Sequence, residues 1–267
     1  MDFGMIALSI ASVSGVGLLI GLLLGVVGKK FAVETDDRVV AVRDHLAGSN
    51  CGGCGYAGCD ACAEAIVKGD AKVNVCLPAG SDNIRAIGEI MGITVNEEER
   101  LVSFVRCAGT CDKTKMKSNY FGIKDCREAM VMPGGTPKEC SYGCLGYGTC
   151  VKACLFDAIH IVDGIAKTDP EKCTACGGCV RACPKGLVAL VPYSATQIVR
   201  CSSKDKGKAV REACSTGCIG CGICVKNCPA GAISLKDNLA VIDQDKCTRC
   251  GTCASKCPAK VITVGQN

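Results

Sequence analysis

The sequence is poor in the side chains that usually build protein cores and mixed metal sites. Its 267 residues include no Trp, 4% aromatic residues and two His, His45 and His160. Two histidines are too few for Cys/His zinc sites along the whole chain, and the absence of C-x-x-C-H excludes covalent c-type haem. A soluble region so short of large apolar side chains needs another source of stability, and bound metal can provide it.

Nucleotide-binding and catalytic motifs are also missing. The chain has neither a G-x-G-x-x-G fingerprint nor a Walker motif, which argues against its own dinucleotide or nucleoside triphosphate site. No constellation of side chains indicates acid–base or nucleophilic catalysis, and no output module such as a helix-turn-helix supports a redox sensor. These absences argue against a chain that transforms a substrate by itself.

Cysteine is the abundant residue, with 26 in the chain. Such a density suggests disulfides in a short secreted protein, but this chain is neither short nor evidently secreted. The formal net charge of +5 counts every cysteine as neutral. An oxidised 4Fe-4S core held by four thiolates adds about −2, so five clusters bring the chain to roughly −5. The basic balance is therefore no sign of nucleic-acid binding.

The chain opens with 26 uncharged residues, FGMIALSIASVSGVGLLIGLLLGVVG, at positions 3–28. As a helix this run spans about 39 Å, more than the ~30 Å hydrocarbon core of a membrane. A secretory signal peptide fits poorly, because the start has no positive charge and no A-x-A site follows. Lys29 and Lys30 directly after the run predict a cytoplasmic C-terminal side, where disulfides are rare. We expect one transmembrane helix in the inner cell membrane, with the N-terminus outside.

Two runs near the C-terminus, CIGCGICVKNCPAGAI and CTRCGTCASKCPAKVI, both read C-x2-C-x2-C-x3-C-P. This is the bacterial ferredoxin pattern, in which the fourth Cys ligates the other cluster. Zinc sites need paired C-x2-C units separated by a long spacer, which this spacing lacks. The predicted ligand sets are Cys218, Cys221 and Cys224 with Cys257, and Cys247, Cys250 and Cys253 with Cys228.

The region upstream repeats this arrangement. CSYGCLGYGTCVKACLFDAI from Cys140 aligns with CSTGCIGCGICVKNCPAGAI from Cys214, and the tripeptide VRC occurs at 105–107 and 199–201. A turn at 237–238 between alternating residues predicts a hairpin, and each repeat is expected to form a β-α-β-β-α-β ferredoxin-like module. One upstream ligand set is regular: Cys173, Cys176 and Cys179 with Cys154.

The other upstream site departs from the pattern. Tyr147 stands where the second repeat has Cys221, which leaves Cys144, Cys150 and Cys183. Either Cys140 supplies the fourth ligand, which its place four residues before Cys144 favours, or the site holds a 3Fe-4S cluster.

A third kind of site lies near the N-terminus, in CGGCGYAGCDACAEAIVKGDAKVNVC. Four of its six cysteines have the spacing C-x2-C-x4-C-x16-C, and the glycines between the first ones allow the backbone close to inorganic sulfide. The segment DACAEAIVKG predicts a short helix, in which Cys62 is expected to be a small buried thiol. The predicted ligands are Cys51, Cys54, Cys59 and Cys76.

An N-terminal apolar helix, then CGGCGYAGC with a distal Cys before LPAG, then ferredoxin modules, resembles the B subunit of the Rnf complex over nearly the whole chain. The resemblance implies a membrane complex that oxidises reduced ferredoxin, reduces NAD and exports Na⁺ or H⁺. It also implies that this subunit receives the electrons of ferredoxin, and that flavin, NAD and ion sites belong to sister subunits. The alternative is an electron-relay polyferredoxin subunit of another membrane hydrogenase or dehydrogenase, since ferredoxin runs alone are generic.

The predicted fold class is α+β. The predicted order is an anchor at 1–30, a connector at 31–48, a 4Fe-4S domain at 49–80, a linker at 81–138, module 1 at 139–192, a linker at 193–212 and module 2 at 213–267. Five clusters use the ligands named above. A sixth could be drawn from four of five leftover cysteines, the alternatives being structural thiols or a zinc site; these are Cys107, Cys111, Cys126, Cys201 and Cys214.

Two lysine-rich stretches offer a place for a partner. KTKMK at 113–117 and KDKGKAVR at 204–211 could attract an acidic ferredoxin, although charge runs are usually only solvated faces.

Overall fold

The structure, a computed structural model, describes residues 3–30, 36–95, 99–133 and 135–264. The predicted anchor, connector, first linker and second module each include a few residues outside these ranges. Helix α1 comprises Phe3–Lys30. Among the described residues, no helix is both long and apolar enough to cross a membrane.

Three helices build a small N-terminal domain: α2 (Asp37–His45), α3 (Cys59–Lys68) and α4 (Ser81–Met91). The second of these confirms the helix expected in DACAEAIVKG. Helix α2 packs against both α3 and α4, and Val42, Ile66 and Ile87 are almost completely buried between them. The domain therefore extends past residue 80, because α4 supplies one wall of its core.

Module 1 is assembled from segments far apart in the chain. Its elements are β1 (Leu101–Val105), α5 (Cys126–Met130), α6 (Thr149–Lys152), β2 (Ile159–Val162), β3 (Ile165–Thr168), α7 (Gly178–Ala182) and β4 (Val188–Pro192). Strands β2 and β3 form an antiparallel hairpin. Strand β1 pairs antiparallel with β4, from Leu101 opposite Pro192 to Val105 opposite Val188. The β-α-β-β-α-β order is thus present, but its first strand lies within the segment expected to be a linker.

Module 2 has the same plan, but its counterpart of the β1–β4 pairing is a single bridge. Its elements are α8 (Gly207–Ala213), α9 (Ile223–Lys226), β5 (Ile233–Lys236), β6 (Leu239–Ile242) and α10 (Thr252–Ser255). The predicted hairpin is confirmed, since β5 and β6 pair antiparallel around Asp237 and Asn238. The last segment, KVITV, forms only a single bridge, between Ile262 and Val199. Val199 in module 2 thus corresponds to β1 in module 1.

The module cores combine small aliphatic side chains with cysteines. In module 1, Val105, Ile159 and Ile165 are buried together with four cysteines: Cys107, Cys144, Cys150 and Cys179. The core of module 2 likewise includes Cys218, Cys224 and Cys253. Each core therefore surrounds thiols, which places these seven cysteines away from bulk water.

Candidate iron-sulfur sites

One predicted ligand set of module 2 surrounds a single cavity. Its walls include all four cysteines of the set and are otherwise largely aliphatic. The four thiols come from the loop before α9, from α9 itself and from the segment after α10: Cys218, Cys221, Cys224 and Cys257. Four soft thiolate donors around a water-poor space are the donor set that an iron-sulfur cluster requires.

Two other regular sets are also brought together. Burial raises the pKa of Cys179, and the neighbouring thiols of Cys173, Cys176 and Cys154 raise it further. Burial likewise raises the pKa of Cys253, which lies near Cys247 and Cys228. In both sets the cysteine predicted from the other run, Cys154 or Cys228, lies near the others.

Backbone N–H groups point at several of these sulfurs. Ala158 donates to Cys154 Sγ at 3.4 Å, and Ala232 donates to Cys228 Sγ at the same distance. These two contacts occupy equivalent places in the two modules. Hydrogen bonds to ligand sulfurs are one of the means by which a protein sets the reduction potential of a cluster.

The N-terminal site is formed by a loop that leads into α3. Asn50 Oδ1 accepts the N–H of Cys59 at 2.8 Å and fixes the loop to the start of that helix. Cys62 is fully buried, and burial together with a hydrogen bond to Cys54 raises its pKa to about 12. Its neighbours include Cys59 and Cys76. Cys62 is thus a buried thiol, as expected, but one that lies among the predicted ligands.

At the irregular site of module 1, the cysteine that lies with Cys144, Cys150 and Cys183 is Cys126, whereas the spacing favoured Cys140. One cavity is lined by Cys126, Cys144, Cys150 and Cys183, and Cys140 is not part of its lining. The backbone N–H of Cys126 donates to Thr149 Oγ1 at 2.8 Å, directly beside Cys150. Cys126 begins α5, whose Asp125 cap accepts the N–H of Arg127 at 2.9 Å. Tertiary contact, rather than closeness in sequence, brings this thiol to the site.

Tyr147 contacts the segment that carries the fourth thiol. Its ring lies 5.3 Å from the ring of Tyr120, centre to centre, and Tyr120 donates through its hydroxyl to the Ile123 carbonyl at 3.0 Å. Burial raises the pKa of Tyr147, and the nearby Tyr120 and Cys126 raise it further. The tyrosine that replaces a ligand thus holds the segment that carries Cys126.

Cys140 lines another cavity, together with three of the five leftover cysteines. The thiols of this cavity are Cys107, Cys140, Cys201 and Cys214. The fifth leftover residue, Cys111, is exposed and contacts Gly164 at the turn of the β2–β3 hairpin. The spacing assigned Cys140 to its near neighbour Cys144, whereas the fold turns it toward Cys107.

A signal for this assignment was present in the repeat. Cys214 aligns with Cys140, and module 2 completes both of its ligand sets without Cys214. The equivalent cysteine of module 1 was therefore also available for a site outside its module.

Within the described ranges, no group of three or more His, Cys, Asp or Glu side chains is arranged to hold a single metal ion. A tetrahedral zinc site holds its sulfurs about 3.8 Å apart, given Zn–S bonds of about 2.3 Å. A cubane core has four iron atoms at separate corners and spaces its thiolates more widely. Cysteines around a cluster therefore surround a wider space than those around one ion.

Comparison with protein families places iron-sulfur domains at three of these sites. The family model FeS, whose description is an Fe-S cluster, matches residues 46–78. A 4Fe-4S binding domain matches residues 166–188, and a 4Fe-4S dicluster domain matches residues 217–261. The N-terminal loop and both modules thus carry iron-sulfur domains.

Relatives cover most of the chain. It is 50% identical over 232 residues to the B subunit of the Na(+)-translocating ferredoxin:NAD(+) oxidoreductase complex of Acetobacterium woodii, covering 86% of this chain and 69% of that protein. It is 45% identical to the proton-translocating counterpart of Clostridium ljungdahlii, over 87% of this chain and 82% of that one. The chain belongs to the family of Rnf complex B subunits.

A third member extends the match. The B subunit of the ion-translocating oxidoreductase complex of Methanosarcina acetivorans is 44% identical over 240 residues, which is 90% of each chain. Together with the 4Fe-4S domains, membership of this Rnf family makes the chain an iron-sulfur electron-transfer protein.

Proposed function

We propose that this chain is the membrane-anchored electron relay of an Rnf-type complex. It accepts electrons from reduced ferredoxin and passes them, one at a time, toward the sister subunits. The complex couples ferredoxin oxidation and NAD reduction to the translocation of Na⁺ or H⁺, the activities for which the Acetobacterium and Clostridium relatives are named. The bound clusters supply the one-electron chemistry, whereas the chain holds, spaces and shields them.

The observation that carries this proposal is the contact between the N-terminal site and module 1. A Cβ on Gly53 would lie 2.7 Å from the carbonyl oxygen of Cys176 and 3.4 Å from Cys51 Sγ. Only glycine allows the two ligand loops to approach this closely. A relay needs short distances between successive sites, and this contact joins the cluster domain to the ferredoxin module.

Five ligand sets support five clusters, four of them with the regular ligands named from the sequence. Within module 1 the two sites share one core, since Cys150 and Cys179 belong to the same buried cluster of side chains. Cys224 and Cys253 share the core of module 2 in the same way. The two sites of each module thus supply two steps of the relay.

Reduced ferredoxin is proposed to dock on the lysine surface, which we define as the exposed basic residues of both lysine-rich stretches. The stretches lie side by side, because Lys115 N–H donates to the Ala213 carbonyl at 3.1 Å and Ser215 N–H to the Lys113 carbonyl at 2.9 Å. Gly207 packs against Ile219, on the loop that leads to exposed Cys221. The surface is formed by Lys113, Lys115, Lys117, Lys204, Lys206, Lys208 and Arg211.

The membrane anchor is proposed from the composition of positions 3–28 and from the exposure of α1. Its valine and leucine side chains from Val13 to Val27 are exposed, with between 42% and 73% of their surface free. An exposed row of aliphatic side chains is what a helix offers to lipid rather than to water. Lys29 and Lys30 put the remaining domains on the cytoplasmic side.

Rapid mixing tests the electron-accepting role. The anaerobically purified full-length chain, in detergent, is mixed with reduced ferredoxin, and bleaching of the cluster absorbance is followed in a stopped-flow instrument. We expect second-order bleaching whose rate falls as salt is added, because opposite charges steer the encounter. A chain that dithionite bleaches but ferredoxin does not would remove ferredoxin as the direct donor.

A further inference from the structure

The cavity lined by Cys107, Cys140, Cys201 and Cys214 has the symmetry of the repeat. Cys107 and Cys201 both end a VRC tripeptide, and Cys140 and Cys214 both begin a CSxGC segment. Each module thus contributes one cysteine of each kind. The four thiols therefore meet as two equivalent pairs, which a chance gathering of core residues would not produce.

Backbone geometry keeps the space between these thiols open. A Cβ on Gly143 would lie 3.5 Å from Cys140 Sγ and 3.8 Å from Cys107 Sγ. One on Gly109 would lie 3.4 Å from Cys214 Sγ and 3.7 Å from Cys107 Sγ. Four cysteine thiols line this cavity, as four line the regular ferredoxin site of module 2.

One cation lines this cavity, and a second, buried cation contacts its lining through the carbonyl of Gly109. Lys138 is only 3% exposed, and its Nζ donates to the carbonyls of Gly109 and Gly164 at 3.3 and 3.1 Å. Arg200 lines the cavity, and its buried Nε has no hydrogen-bond partner among the described residues. Burying cations beside four neutral thiols is costly. A core held by four thiolates carries about −2 and would compensate these charges.

Hydrogen bonds connect the cavity to one ligand site in each module. Cys107 Sγ accepts the backbone N–H of Cys144 at 3.3 Å. The backbone of Cys218 makes the equivalent hydrogen bond to the thiol of Cys201. The cavity is therefore in direct contact with the irregular site of module 1 and with a regular site of module 2.

We infer that Cys107, Cys140, Cys201 and Cys214 hold a sixth iron-sulfur cluster that bridges the two ferredoxin modules, and that Cys126 instead of Cys140 completes the Tyr147 site. The inference rests on the proposed relay function and adds its central step. Each electron that enters the bridge from one module leaves it toward the other, so no atom is transferred and no charge remains. Reduced ferredoxin supplies the electrons that pass through both modules.

Iron and acid-labile sulfide per chain test the bridge. The full-length protein and two variants are purified anaerobically in parallel, and zinc is measured in the same samples. We expect about 24 irons in the wild type and about 20 in Cys140→Ser/Cys214→Ser. Cys111→Ser is the matched control, because it removes a leftover cysteine outside the cavity, and it should keep the wild-type count.

Electron distribution supplies a second readout. Freeze-quenched EPR after mixing with reduced ferredoxin should show fewer reduced clusters in the double variant than in Cys111→Ser, whereas dithionite should reduce every remaining cluster in both. The bridge is ruled out by a wild-type count near 20 irons, by an unchanged count in the double variant, or by stoichiometric zinc. The wild-type iron count decides whether a sixth cluster is present even if the double variant does not fold.

The outcomes also separate this inference from the proposed function. A chain that lacks only the sixth cluster and is still reduced by ferredoxin leaves the relay role intact. A chain without clusters, or one that ferredoxin cannot reduce, removes the relay role as well.

Discussion

Tyr147 occupies the place that Cys221 has in module 2, and it packs on Tyr120 with ring centres 5.3 Å apart. Cys126 lies on the segment that this contact holds, and its N–H reaches Thr149 beside Cys150. Module 1 thus has Tyr147 in place of one ligand cysteine, and a thiol from the segment between β1 and α6 lies at the site instead. The number of thiols at the site stays at four, although their order along the chain changes.

Replacing Cys126 with Ser should leave the Tyr147 site with three thiols. We expect the loss of one iron from this cluster, giving a 3Fe-4S cluster, or the loss of all of it, about one to four irons per chain. Adding Tyr147→Cys to Cys126→Ser restores a thiol at the ferredoxin position and should restore the iron count. EPR of the oxidised protein, in which three-iron clusters give a signal, provides the measurement.

Cys140→Ser serves as the comparison for that experiment. Because Cys140 lines the other cavity, its removal should not produce a three-iron cluster at the Tyr147 site, and Tyr147→Cys should not rescue it. If Cys140→Ser gives the rescuable defect and Cys126→Ser does not, the ligand assignment is the reverse of the one inferred.

The residues that could be predicted from sequence are those whose ligand sets depend on local spacing. Cys218, Cys221 and Cys224 lie in one loop, so their pattern alone reveals the shared site. Cys126 is eighteen residues before Cys144, and only the contact with Thr149 brings it close. Cys140 is near Cys144 in sequence, but the turn at Gly143 directs its thiol toward Cys107. Spacing alone does not reveal which thiols tertiary packing brings together.

At the scale of elements, β1 is the part of the fold that local pattern did not reveal. Its partner β4 lies more than eighty residues further along the chain, with Val105 opposite Val188. Hairpins such as β5–β6 are recognisable from a turn between adjacent runs, whereas a pairing across this separation leaves no local trace. The repeat that overlaps β1 is the VRC tripeptide, and its cysteine, Cys107, lines the cavity shared by the two modules.

The loop that precedes α3 controls the approach of the N-terminal domain to module 1. Gly53→Ala would place a methyl group 2.7 Å from the Cys176 carbonyl oxygen, so the two loops must separate. We expect a destabilisation of about 1–3 kcal/mol, as for overpacking in a core, and slower electron exchange between the N-terminal cluster and module 1. Chemical denaturation and freeze-quenched EPR measure the two effects.

Gly55→Ala is the control in the same loop. Gly55 has a φ of 89°, and a Cβ there would contact nothing within 4 Å, so this variant introduces backbone strain without a clash between domains. Slowing that is equal in both variants would show that loop strain, not the approach of Gly53 to Cys176, governs the exchange.

On the scale of the whole molecule, the lysine surface offers a positive face to a partner beside exposed Cys221. Lys204 is held by Asp237 at 3.1 Å, so a variant that reverses charge should keep Lys204 and change Lys115, Lys206 and Lys208 to Glu. We expect ferredoxin to reduce this variant roughly tenfold more slowly at low ionic strength, with a flatter salt dependence. Stopped-flow traces at several salt concentrations provide both values.

A variant of equal charge but different position separates docking from net charge. Lys72, Lys226 and Lys256 are exposed and lie outside both lysine-rich stretches. Reversing these three should leave most of the rate in place. Equal slowing in both variants would point to the overall field of the protein instead of a docking surface.

The modules are too lightly built to hold their shape without clusters. Helices α6, α7, α9 and α10 have four or five residues each, far fewer than the ~12–15 that an isolated helix needs. A two-stranded hairpin such as β2–β3 is marginal in water by itself, and cysteines occupy much of the cores. Metal–thiolate bonds must therefore supply a large share of the folding free energy of both modules.

Removal of the clusters should consequently unfold the modules before the N-terminal helices. Helices α2, α3 and α4, with nine to eleven residues, share a core of Val42, Ile66 and Ile87 that contains aliphatic side chains as well as thiols. After anaerobic chelation, hydrogen exchange followed by mass spectrometry should show complete loss of protection in β2–β3 and β5–β6, and partial protection in α3 and α4. Protection that persists in both hairpins without iron would mean that the apolar side chains alone hold the modules, and that the clusters serve electron transfer without a structural role.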